Sequence, residues 1–194
     1  MAESKCYYST GITTTIKDAE VKHGKLIVLN HVMDSDHPSL GHQISVVVKL
    51  AEKFSSIEVF TTSYSGETLP ANVSVTTIAW KTGSSASNAT HLLLAFLNSC
   101  VRQRPDFVFS HMAPLNSIVV APLTRALRIR HILWYAHAHN PKPLRFAVRL
   151  VDVVVSSTKG SFPFNSAKLI LIGQGVDANL FTKSKNSNGS RFDL

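Results

Sequence analysis

FVFSHMAPLNSIVVAPLTRALRIRHILWYAHAHNPKPLRFAVRLVDVVVS, residues 107–156, is the stretch that decides the fold. Three short apolar runs, at 107–110, 131–136 and 153–156, are strands by their length and their Val, Ile and aromatic content. Two segments of helical spacing separate them. The first covers 115–127, where Pro122 should kink the helix or mark its true start. The second opens at Pro141 and Pro143, with Leu144, Ala147, Val148 and Val151 on an inner face and Lys142, Arg145 and Arg149 on an outer one. Strand, helix, strand, helix, strand is the order of parallel βαβ units.

The alternation extends outward on both sides. KLIVLN at 25–30 reads as a buried strand, and Ile44, Val47, Val48, Ala51 and Phe54 follow at helical spacing. Further strands are expected at 57–62 and, after the turn at Pro70 and Asn72, at 73–80. Thr90, Leu93, Leu94, Leu97 and Val101 outline the apolar face of another helix, which Arg104-Pro105-Asp106 ends. A last strand is expected at 168–172. The expected fold is α/β, a three-layer Rossmann-like domain with a mostly parallel sheet over residues 25–181. Residues 1–24 read as a polar tail, and TKSKNSNGSR, from Thr182 onward, as the start of a linker over 182–194.

At 194 residues and 44% hydrophobic content, the chain can bury one sizeable core and is not disordered as a whole. Residues 107–124 lack Asp, Glu, Lys and Arg, but His111, Pro114, Asn116 and Pro122 argue against a membrane span. The N-terminal residues carry no apolar run, so no signal peptide is expected. Cys6 and Cys100 imply no disulfide framework, which points to a reducing, cytoplasmic setting.

Charge is unevenly placed. Residues 1–97 carry 7 Lys and no Arg against 8 acids, whereas residues 98–194 carry 13 basic against 4 acidic residues. Such a basic half attracts phosphates on nucleotides, lipids or nucleic acid. Nucleic acid ranks last of these, because the basic half has neither interleaved aromatics nor a known motif.

In a doubly wound sheet, ligands sit beyond the carboxyl ends of the strands. The loop after the first strand, HVMDSDHPSLGHQ, places Gly41 at a helix start, where backbone amides could approach a phosphate. Its His31, Asp34, Asp36 and His37 are metal-ligand types without a recognised spacing, and a plain polar loop is the simpler reading. His111 follows the fourth strand, and His137 and His139 follow the fifth. A histidine at a strand's carboxyl end can bond a sugar hydroxyl or phosphate, act as acid or base, or merely be a satisfied strand-end residue. The sequence lacks G-x-G-x-x-G, the P-loop and the Gly-x-Ser-x-Gly elbow, which sets aside dinucleotide binding, simple nucleotide hydrolysis and serine hydrolase chemistry. Arg125, Arg128 and Arg130 read as a solvated face.

The segment VDVVVSSTKGSFPFNSAKLILIGQGVDANLF, ending at Phe181, resembles the end of the N-terminal domain of family 4 (group 1) glycosyltransferases. The matching residues are Asp152, Ser156, Ser157, Lys168, Gly173, Gly175, Val176, Asp177 and Phe181. LWYAH, ending at His137, is similar to the family's strand-plus-histidine motif, and SLGHQ stands where the family keeps its glycine loop. The family often has two adjacent glycines there, whereas this chain has Leu40-Gly41. The resemblance implies the N-terminal, acceptor-side half of a GT-B fold, with a C-terminal donor domain not included in these 194 residues and supplied in cis or in trans.

The implied function is retaining transfer of a hexosyl group from a nucleotide-sugar donor to a lipid-linked or polysaccharide acceptor. The resemblance implies no obligatory metal or other cofactor, and a chain that is inactive alone. His137 would contact the donor sugar or the reacting phosphate, while Gly41, His111 and Ser157 would face substrate or phosphate. Lys142, Arg145 and Arg149 could dock the protein peripherally on an anionic membrane. The alternative is a module that binds an acceptor or partner without chemistry.

Overall fold

The structure is a computed structural model that describes residues 24–78, 83, 85–173 and 175. Its main sheet has seven strands, all parallel, in the order β5-β3-β1-β6-β7-β8-β9. They are β1 (Lys25–Leu29), β3 (Ser56–Thr61), β5 (Val73–Thr77), β6 (Phe107–His111), β7 (Arg130–Trp134), β8 (Val153–Ser156) and β9 (Leu169–Leu171). Two short strands, β2 (Val32–Met33) and β4 (Ser63–Tyr64), form a separate parallel pair just past β1 and β3. The helices are α1 (His42–Ala51), α2 (Ser85–Arg102), α3 (Pro114–Ala126) and α4 (Lys142–Leu150).

Alternation along β1 divides the core. Leu26 and Val28 pack with Val47 of α1, while Ile27 and Leu29 pack with Leu92 and Phe96 of α2 and Val120 of α3. Leu133 and Val154 continue the second face beneath Leu144, Ala147 and Val148 of α4. The expected α/β Rossmann-like architecture is therefore present, with α1 on one face and α2 to α4 on the other. The inner face expected for α4 is also buried, with Val151 1% exposed.

Two expectations need correction. The buried stripe of α2 is Asn88, Leu92, Phe96 and Ser99, not Thr90, Leu94, Leu97 and Val101, of which Val101 is 78% exposed. Leu92, Leu93 and Leu94 are consecutive, so the local pattern admits two rotations of the helix; contacts to β1 and β3 select the one observed. Pro122 does not start α3. Pro114 occupies its first turn, and Pro122 stands on the exposed side within it. The ends of the expected strand at 73–80, the polar tail and the linker lie partly or wholly outside the described residues.

Candidate functional site at the carboxyl edge of the sheet

Because all seven strands are parallel, their carboxyl ends share one edge. From β1 the chain moves outward to β3 and β5, then returns to β6 on the other flank of β1. The order reverses between β1 and β6, which is where a crevice opens in such sheets. Leu29 pairs with Ser110, so Asn30 and His111 are neighbours at the crevice floor.

His111 is 8% exposed and set among rings. It stacks on Trp134 with centroids 6.3 Å apart and planes 12° from parallel, and meets the edge of His42, the first residue of α1, at 5.8 Å. Burial, aided by His42 and His31, pushes its pKa down to about 4. The ring is thus neutral at pH 7 and acts as a hydrogen-bonding group, not a cation. Its Nδ1 and both amide atoms of Gln43, a residue 2% exposed, have no protein partner. A cavity of about 10 Å³ between Asn30, Gln43, Phe109 and His111 is of the size one water fills.

Gly41 precedes α1 at φ −55°, a conformation any residue adopts. Glycine is required there by space. A Cβ would lie 2.3 Å from the Ser35 carbonyl oxygen and 3.2 Å from that of His37. The close approach is to the loop's own backbone. The Gly41 N–H already donates to His37 O at 3.0 Å, and that of Gln43 to Leu40 O at 2.9 Å. The loop is strapped from β3 onward: the Thr61 and Thr62 hydroxyls donate to His31 O, and the Ser35 N–H donates to Glu67 Oε1. The metal-ligand types serve the same fold. Asp34 Oδ1 accepts from the Asp36 N–H, and His37 Nδ1 from Ser39 and Leu40. Among the described residues no three His, Cys, Asp or Glu side chains converge as a metal needs.

His137 lies one strand over, exposed, with Nδ1 accepting the His139 N–H at 2.9 Å. That bond assigns the proton of the neutral ring to Nε2, the atom left for a ligand. The His139 carbonyl accepts from the Tyr135 hydroxyl, so the whole turn is anchored to a buried ring. Beneath it, the Ala136 N–H points at Met112 Sδ at 3.2 Å, and Met112 itself sits at φ 53°, a strained left-handed conformation directly after β6. Ser157, after β8, is 5% exposed; its hydroxyl donates to Ser161 Oγ and its carbonyl accepts from the Gly173 N–H. Gly175 is exposed, while Val176, Asp177 and Phe181 lie outside the described residues.

The edge therefore carries all four expected site residues: His111 beside the Gly41 helix start, His137 beyond β7 and Ser157 beyond β8. Sequence reasoning missed Gln43, His42 and Trp134, which enclose His111. It also missed His131, whose ring nitrogen lies 2.8 Å from Ser110 Oγ beneath the edge. The parity of His131 with Leu133 and Tyr135 was the available signal.

Two roomier clefts lie at the amino edge. One, of about 420 Å³, is lined by Lys25, Glu58, Asn72 and Arg102. Lys25 Nζ lies 3.0 Å from Glu58 Oε2, and Arg102 lies 3.0 Å from Oε1. Burial pushes the Glu58 carboxyl up, but the Ser99 hydroxyl, Lys25 and Arg102 more than reverse this and hold it below its ordinary value. This is a closed ion cluster. The other cleft, of about 330 Å³, is lined by Arg125, Arg128, Arg130 and Asp152. On α4, Lys142, Arg145 and Arg149 are all exposed, with the Arg145 guanidinium 4.6 Å above the Phe164 ring. Among the described residues no helix is long and apolar enough to cross a membrane.

Among solved structures, the chain is similar to sucrose-phosphate synthase from Thermosynechococcus elongatus, with a TM-score of 0.59 and 9% identity over 81% of this chain and 50% of that one. It is similar to UDP-GlcNAc 2-epimerase from Neisseria meningitidis bound to UDP-GlcNAc, at TM-score 0.53, 12% identity, 76% of this chain and 45% of that one. It is also similar to a lipopolysaccharide outer core galactosyltransferase in its apo form, at TM-score 0.54, 7% identity, 78% and 46%. The chain thus spans half or less of the length of each. No family model and no curated protein matches the sequence. At these identities the likeness is one of fold, and the chain has the α/β Rossmann-like fold of one half of a GT-B enzyme.

Proposed function

We propose that the chain is the acceptor-side half of a retaining glycosyltransferase that moves a hexosyl group from a nucleotide-sugar to a lipid-linked or polysaccharide acceptor. The observation that carries this reading is the placement of His111 and His137 on adjacent strand ends beside the switch point, in a fold similar to that of a lipopolysaccharide outer core galactosyltransferase. In this reading the edge works by positioning and charge stabilisation. Neutral His111 and the Nε2–H of His137 are donors for a sugar hydroxyl or phosphate oxygen. No metal is required, and a second Rossmann-like domain, in cis or in trans, supplies the donor half. The exposed face of Lys142, Arg145 and Arg149 would hold the protein near an anionic lipid surface, at roughly 1 kcal/mol per cation.

The test is turnover with nucleotide-sugars. The 194-residue chain alone is expected to be inactive. Joined with the donor half, His137→Ala should lower turnover about tenfold or more, and His139→Ala much less. Equal effects, or robust turnover by the chain alone, would overturn these assignments. A non-catalytic binding module is the second reading, favoured by the carboxyl-edge cavities near Asn30 being only about 10 Å³. It predicts acceptor binding that joining a donor half does not convert into transfer.

A further inference from the structure

The cleft formed by Arg125, Arg128 and Arg130 sits at the sheet edge opposite the site above, and its construction is unlike that of its neighbour. Arg125 stands in the last turn of α3, Arg128 two residues beyond the helix and Arg130 at the start of β7. Ile129, 3% exposed, is the apolar anchor between them, so the two flanking arginines are turned outward. All three arginines line one concavity of about 330 Å³, together with Thr124, Ile129 and Asp152.

Its positive charge exceeds the negative charge on its wall. Asp152 is the single acid on the wall, and its Oδ2 already accepts the His131 N–H at 2.7 Å. Among the described residues, none of the three guanidiniums makes an ion pair or side-chain hydrogen bond. The neighbouring cleft shows the contrast, since there Glu58 takes both Lys25 and Arg102. A helix C-terminus accounts for Arg125, because a cation there faces the negative end of the dipole. It does not account for Arg130, which is on a strand, or for Arg128, which occupies φ 52°. That left-handed position after a helix ordinarily takes glycine or asparagine, and an arginine there is strained.

We infer that this cleft is an anion site that binds a phosphoryl group carrying two negative charges. Arginine forks match phosphate oxygens in pairs, and a cleft of this size accepts a diphosphate or a phosphorylated small molecule. The phosphoryl group could belong to a soluble compound or to a lipid headgroup. This inference does not rest on the glycosyltransferase reading, since the two sites lie at opposite ends of the strands.

The test uses the full chain and the variant Arg128→Gly with Arg130→Ser, in which glycine suits the left-handed turn. Circular dichroism first confirms that the variant folds. Both proteins are titrated calorimetrically with inorganic pyrophosphate, at low and high salt, and sedimented with phosphatidylglycerol or phosphatidylcholine vesicles. Saturable pyrophosphate binding that the variant weakens about tenfold or more supports the site with a soluble ligand. Binding only to phosphatidylglycerol vesicles, weakened equally by the variant, supports it with a lipid source. Lys53→Ser, exposed just after α1 and outside the cleft, should leave either result unchanged. Absence of binding to both probes, or binding that the variant leaves intact, overturns the inference.

Discussion

The two edges of the sheet use their polar groups differently. At the carboxyl edge the polar groups are the buried His111 ring, hydroxyls, amides and the carboxylates of Asp34 and Glu67, and most of them are bonded into their own loops. At the amino edge the charges gather, because α2, α3 and α4 all end there and each brings arginine to its last turn. The larger cavities follow the charges. Open volume in a single Rossmann-like layer marks gaps between helix ends and strand starts, whereas the switch point marks where strand order leaves backbone and side chains free to face a ligand. Cavity size and topology therefore point to different edges.

The largest expected effect tests whether the amino edge is held by one carboxylate. Glu58→Ala leaves the buried Lys25 ammonium without its acid and should destabilise the protein by about 3–5 kcal/mol in urea unfolding. A loss below about 1 kcal/mol would show that solvent already screens the cluster. Because the folded pKa of Glu58 is depressed, its contribution is present above the unfolded carboxylate value and lost as pH falls through the folded one.

The two histidines buried in the sheet respond to acid differently. His111 and His131 are each held near pKa 4 by burial, against an ordinary 6.5. Between these values the unfolded chain binds protons that the folded one refuses, so stability is full above pH 6.5 and declines towards pH 4. Each ring accounts for roughly 3 kcal/mol at most. His111→Phe, which keeps a ring against Trp134, should remove about half of this slope in melting temperature against pH. An unchanged slope would mean that His111 binds its proton equally well in the folded and unfolded chain, so that burial does not depress it.

A smaller effect tests the loop. Gly41→Ala forces a methyl against the Ser35 carbonyl and should lower stability by about 1–3 kcal/mol, ligand or no ligand. A stable Gly41→Ala protein that loses only phosphate binding would return the glycine to the ligand. The smallest effect has the opposite sign. Arg128→Gly should stabilise the protein by about 0.5–1 kcal/mol, since relief of left-handed strain exceeds the glycine entropy. Destabilisation would mean that Arg128 serves the fold, which would weaken the case for the arginine cleft.

What was legible and what was not follows the range of the interactions. The order of strands and helices is written in local periodicity, and a βαβαβ order with one crossover hand leaves a parallel sheet as its outcome. From that order alone, Gly41, His111, His137 and Ser157 fall at strand ends on one edge. Local periodicity could not choose between the two faces of α2, because three successive leucines satisfy both. Nor could it show that Gly41 is needed by the Ser35 carbonyl, that Gln43 and Trp134 enclose His111, or that Ser99, Lys25 and Glu58 share one cluster. Lys25 and Ser99 are 74 residues apart, and Glu58 and Ser99 are 41 apart. Their meeting depends on which strands pair and how each helix is rotated on the sheet. The sequence by itself determined the layers and the edge that bears the candidate site. The tertiary structure decided which polar groups on each edge are occupied with one another, since burial and partnership are properties of packed surfaces and not of neighbours along the chain.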